Sequence, residues 1–111
     1  SIQERRAHFR HDMVTDCTIF FGELLQMRGK IKNISRGGAL IELTHTFPRS
    51  YFSLPMKLHF QAQQEGYSHD IETYCQVVRY TGTSIGVMFD SMKSKMVHVL
   101  IDRLESTNEE D

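Results

Sequence analysis

Met56-Lys57-Leu58-His59-Phe60-Gln61-Ala62-Gln63 alternates apolar and polar side chains without a break, and reading it decides the fold. A period of two predicts a strand with one buried face and one wet face. Met56, Leu58, Phe60 and Ala62 form the inner face. Working outward, the same period recurs on both sides. Upstream come Met13, Cys17, Ile19 and Phe21, then Leu25, Met27 and Ile31, alternating with polar residues up to Asn33, then Ala39, Ile41 and Leu43. Downstream come Ile71, Thr73, Cys75 and Val77, then Ile85, Val87 and Phe89. Turn signals separate these runs at Gly22, within Pro48–Pro55, at Glu65-Gly66 and at Thr81-Gly82-Thr83.

After Asp90, which is placed to cap a helix, the spacing changes. Met92, Met96, Val99, Leu100 and Leu104 recur at helical intervals, with Lys93, Lys95, Asp102 and Arg103 mostly on the other side. The two methionines read as core contacts rather than as the lining of an adaptable groove. The expected fold is therefore all-β with a C-terminal helix: a six-stranded antiparallel β-barrel, closed so that no strand edge is left open. No strand alternates with a helix, which argues against a parallel α/β sheet. Residues 1–11, SIQERRAHFRH, read as a flexible basic arm, 12–104 as the barrel plus helix, and 105–111 as a frayed acidic tail.

The 111 residues make one domain, and 40% apolar with 24% charged residues is an ordinary globular composition. Thirteen Lys and Arg against fourteen Asp and Glu give a net charge of −1, which disfavours DNA as a partner for the whole surface. Neither a run of about 18 apolar residues nor a signal-peptide pattern occurs, so a cytoplasmic protein without membrane insertion is expected. A first residue of Ser rather than Met suggests a trimmed chain, with room for an output domain elsewhere. Cys17 and Cys75 lie in alternating apolar runs and read as buried thiols, with a disulfide between neighbouring strands left open. Six scattered histidines have no ligand spacing, so no metal and no cofactor are expected. Nucleophile-elbow, zinc-protease, P-loop and dinucleotide motifs are all missing, and Asp16, Glu42, Asp70, Glu72 and Asp90 do not pair for acid–base work. The chain does not read as an enzyme.

Two segments stand out. Arg5-Arg6-Ala7-His8-Phe9-Arg10 concentrates three guanidiniums in a chain that is otherwise neutral, and Asn33-Ile34-Ser35-Arg36-Gly37-Gly38 joins two strands. Arginine forks match phosphate oxygens and the O6/N7 edge of guanine, and their planes stack on bases. A glycine-containing turn exposes backbone N–H groups to an anion. Each segment alone has a plain explanation, as a solvated terminus or as a turn closed by its own side chains. Together they describe a site for a compact anionic guanine nucleotide.

In this order and strand context the chain resembles the PilZ domain family, whose hallmark is RxxxR followed by [D/N]xSxxG. These are Arg6-Ala7-His8-Phe9-Arg10 and Asn33-Ile34-Ser35-Arg36-Gly37-Gly38. Val77-Val78-Arg79 and Ile85-Gly86-Val87-Met88-Phe89 are similar to the family's closing strands, so the likeness covers about residues 4–104. The resemblance implies a bacterial receptor for the second messenger cyclic di-GMP that signals to an unidentified downstream protein. It implies that Arg6 and Arg10 clamp phosphates and guanine edges, and that the arm wraps over the ligand. Asn33 and Ser35 would bond the other guanine, while Gly38 lets the backbone come close. Arg5, just before the motif, implies two ligand molecules per protomer. Two other readings compete: a ligand-free PilZ-like interaction adaptor, and a small barrel binding single-stranded nucleic acid. The second lacks the aromatic-studded basic face such barrels need.

Overall fold

Six runs of period two become six strands. The computed structural model describes residues 11–64 and 66–110. Its elements are β1 (His11–Phe21), β2 (Leu25–Ile34), β3 (Gly38–Leu43), β4 (Met56–Gln64), β5 (Tyr67–Thr81), β6 (Ser84–Phe89) and α1 (Lys95–Glu110). All pairings are antiparallel, in the order β1-β2-β3-β6-β5-β4, and β4 returns to β1 to close the barrel. The expected six-stranded barrel with a C-terminal helix is what forms.

The inner faces fill the barrel. Ile19, Ile31, Ile41, Leu58, Phe60 and Ile71 are all buried, each worth about 1.5–3 kcal/mol of transfer free energy. The β1–β2 and β5–β6 turns pass through Gly22 at φ 68° and Gly82 at φ 60°, a left-handed backbone that other residues resist. A ring cluster packs against the core beside these turns, with the Phe21–Tyr51 and Phe47–Tyr80 centroids each 5.0 Å apart. Tyr51 reaches it from a short 3-10 helix, Arg49–Tyr51, in the β3–β4 connection.

The helix differs from its sequence reading in three ways. It buries Val97, Leu100 and Ile101, whereas Met92, Met96 and Val99, expected in the core, are exposed. The true face is set one position around, and only Leu100 and half-buried Leu104 belong to both readings. Asp90 does cap, but it caps a short 3-10 helix, Ser91–Lys93, by accepting from the Met92 N–H at 3.0 Å. α1 follows through Ser94, whose buried hydroxyl donates to the Asp90 carbonyl at 2.6 Å and lies 2.5 Å from the Thr73 hydroxyl. Finally, α1 continues to Glu110, so residues 105–110, expected as a frayed tail, are helical. At the other terminus, β1 starts at His11, the last residue of the expected arm.

Cys17 and Cys75 are free and buried in the barrel. Burial pushes both thiols up to about 12, helped by Asp16 for Cys17 and by Cys17 for Cys75.

Candidate functional site

Strict alternation from buried Ile31 would turn Asn33 into the barrel and Ile34 out of it. Instead β2 shifts register against β3: Ile31 pairs with Ile41 and Asn33 with Leu40. The extra residue leaves Lys32 and Asn33 off the core and returns Ile34 to it. β5 repeats the device. Val77 pairs with Val87 and Arg79 with Gly86, so that Val78 and Arg79 are both exposed and Tyr80 packs back against the core.

These two bulges stand at the ends of one outward-facing row, Asn33–Leu40–Gly86–Arg79, which crosses β2, β3, β6 and β5. Three strand spacings put Asn33 and Arg79 about 14 Å apart. The adjoining outer row is Gly38–Met88–Gln76. Over these rows lies an open groove of about 1360 Å³, bounded also by Tyr74, Ser53 and the Asp90–Lys93 segment.

The motif turn forms one wall. Ser35 donates its N–H to the Gly38 carbonyl at 2.8 Å and its hydroxyl to the same oxygen at 3.3 Å, which leaves the hydroxyl oxygen free to accept. Gly37 accepts from the Phe89 N–H at 2.8 Å, fastening the turn to β6. The glycines do not act through a left-handed backbone, as a turn reading suggests. A Cβ on Gly38 would lie 2.1 Å from the Val87 carbonyl oxygen, so this position permits β3 to approach β6. Arg36 forms a hydrogen-bonded ion pair with Asp102 and so ties the turn to α1.

The far wall was missed by the motif reading. The Arg79 side chain lies across Gly86, and a Cβ there would meet its Nε at 2.8 Å. Lys93 Nζ sits 5.0 Å from the centre of the Tyr74 ring. Arg36, Arg79 and Lys93 make the groove cationic in a protein of net charge −1, and the carboxylate of Asp90 on its rim is engaged with the Met92 N–H. Such a groove can bind an anion with flat apolar parts. Two signals pointed to Arg79: the Val77-Val78 doublet, which breaks the parity of β5, and a glycine at 86 inside a strand.

Asn33, Ser35 and Gly38 therefore come together at one groove, whereas Arg5, Arg6 and Arg10 lie outside the described residues. The chain nonetheless enters β1 beside the motif turn, because His11 pairs with Ile34 and Asp12 with Asn33. Among the described residues no group of three or more His, Cys, Asp and Glu side chains is placed to hold a metal ion, and no helix is long and apolar enough to cross a membrane.

A family model for the PilZ domain matches residues 4–106. The fold is similar to that of the Bacillus subtilis inhibitor of motility (MotI/DgrA), with a TM-score of 0.75 and 21% identity over 96% of this chain. The match takes in 53% of that protein, so this chain spans about half of its length. The PilZ domain of CeSA from a cellulose-synthesizing bacterium is also similar, with a TM-score of 0.64 and 14% identity over 87% of this chain and 98% of that one. At such identities the likeness is one of fold. No curated protein matches the sequence.

Proposed function

Since the chain belongs to the PilZ domain family, we propose that it is a receptor for cyclic di-GMP that passes the signal to a partner protein as an adaptor, not an enzyme. One observation carries the reading: β1 begins beside the Asn33–Gly38 turn, which forms one wall of a groove lined by Arg36, Arg79 and Lys93. Asn33 and Ser35 bond one guanine, and Arg6 and Arg10 close over the phosphates. Arg79 offers its guanidinium plane on the far side, where a purine can stack. The groove exceeds the roughly 300–1,000 Å³ of common ligand pockets, which supports the pair of ligand molecules suggested by Arg5.

In this reading the arm folds on its ligand, and ordering about ten residues would cost roughly 10 kcal/mol of backbone entropy. Charge-assisted hydrogen bonds at about 1.5–3 kcal/mol each offset this only if several form together. Binding therefore depends steeply on arginine content. Calorimetric titration with cyclic di-GMP tests this on the native chain, Arg6→Ala/Arg10→Ala and Arg79→Ala. The expected results are no binding for the double variant, and for Arg79→Ala a loss of about tenfold or more at unchanged melting temperature. A stoichiometry near two supports the role of Arg5. A folded native chain that gives no heat at tens of micromolar overturns the reading in favour of the ligand-free adaptor.

A further inference from the structure

The groove's uncharged hydrogen-bonding side chains include two carboxamides, and neither is used by the fold. Asn33 is half-buried on the near wall, and its amide makes no hydrogen bond among the described residues. Gln76 lies exposed in the row Gly38–Met88–Gln76, and its amide is equally unengaged there. Each offers one acceptor and an NH2 donor, and can turn to exchange them. Beside Asn33, the Ser35 hydroxyl oxygen is free to accept, because its proton goes to the Gly38 carbonyl.

No carboxylate shares this position. Asp12 lies across the β1–β2 ladder from Asn33 but does not line the groove. Asp90 does line it, but at the other end: it follows the last residue of β6, whereas Asn33's row crosses that strand at Gly86. Its Oδ1 also accepts from the Met92 N–H.

The distinction decides which base fits. Guanine presents two donors, N1–H and the N2 amine, on its pairing edge, and one carboxylate accepts both. Adenine presents N1 there as an acceptor, which a carboxylate repels, since an ionised acid only accepts. A carboxamide satisfies either base. Its carbonyl accepts from guanine, or its NH2 and carbonyl together pair with adenine. Both bases carry an exocyclic amine that can donate to Ser35, and stacking on Arg79 is blind to base identity.

We propose that the base position at Asn33 accepts adenine as well as guanine, so that the groove takes a mixed guanine–adenine cyclic dinucleotide in addition to cyclic di-GMP. This rests on the dinucleotide reading above, in which Arg6 and Arg10 take the other base. Arginine forks match guanine O6/N7, whereas adenine places an amine donor at that edge. The site is thus selective at one base and permissive at the other. Cyclic di-AMP, which has no guanine for the arginines, is the weakest ligand of the three.

The test titrates cyclic di-GMP, cyclic GMP-AMP of the same linkage and cyclic di-AMP into the native chain and into Asn33→Asp. On the native chain the first two are expected to bind within about fivefold of each other, and cyclic di-AMP about tenfold weaker or more. The NMR signals of the Asn33 side-chain amide should move with both of the first two. One bidentate base contact discriminates by about five- to 150-fold, so Asn33→Asp should widen the gap between cyclic di-GMP and the mixed ligand to about twentyfold or more. The ratio is the readout, because the new carboxylate beside Asp12 also repels phosphates and lowers both affinities alike. A native preference for cyclic di-GMP above about tenfold overturns the proposal and leaves the receptor reading standing. So does a ratio that Asn33→Asp leaves unchanged, since the base is then read elsewhere. Equal affinity for all three also overturns it, because no base is then selected. If none of the three binds, the receptor reading falls, and this one with it.

Discussion

Strand β6 meets opposite demands on its two faces. Its inward residues Ile85, Val87 and Phe89 are buried, whereas outward Met88 is 53% exposed and Gly86 lies beneath Arg79. The inner face is determined by packing, because a slip of one residue would expose the whole apolar set. The outer face carries no such constraint, so its residues are free to serve chemistry. The difference teaches where to look for function in a small barrel: on the outside, at the places where the alternation breaks.

The largest predicted effect lies in the interior. Cys17 and Cys75 ionise at about 12 in the folded barrel against an ordinary value of 9.0. Between those values the unfolded chain loses thiol protons that the folded chain keeps. Stability from this source is therefore complete below about pH 9 and falls as pH rises toward about 12. Urea midpoints measured from about pH 8 to about pH 12 should drop more steeply for the native chain than for Cys17→Ala/Cys75→Ala, which subtracts the lysines and tyrosines. Equal slopes would mean that the thiols ionise without unfolding and that the interior is less closed than its packing implies.

Two glycines bring the comparison to single methyl groups. Gly38→Ala places a Cβ 2.1 Å from a backbone oxygen of β6, and neither strand can yield without breaking the ladder. A loss of about 1–3 kcal/mol, or more, is expected in chemical denaturation. Gly86→Ala meets the Arg79 side chain, which can swing aside, at 2.8 Å. Its stability should stay within about 0.5 kcal/mol while dinucleotide affinity falls with the displaced guanidinium. If the two variants melt alike, the division between a frame and a functional surface fails.

The same division explains what the sequence made legible. Period two carried the six strands, because the inward positions are apolar with few exceptions, such as Thr73, and every turn has its breaker residue. The helix face was misread because Met92, Met96 and Val99 are as apolar as Val97 and Ile101, and composition cannot say which of two stripes meets a barrel. The turn Asn33–Gly38 was found through its residue types. Arg79 was not, since the bulge that aims it outward is a pairing event between β5 and β6 that only a doubled valine and a glycine within a strand announce. The ion pair from Arg36 to Asp102 spans residues far apart in sequence and has no local signal at all.

That ion pair gives the smallest predicted effect and ties the groove to the helix. Both partners are partly exposed, so the pair contributes at most about 1 kcal/mol to folding. Asp102→Asn should thus leave the melting temperature nearly unchanged. The groove senses more: a cyclic dinucleotide has two phosphates, and Asp102 competes with them for Arg36. Removing the carboxylate charge should raise dinucleotide affinity by up to about fivefold, most clearly at low salt, where screening is weakest. A fall in affinity would reverse the argument, because it would mean that α1 holds Arg36 in the conformation the ligand needs. In that case the helix belongs to the binding site rather than standing in for its ligand.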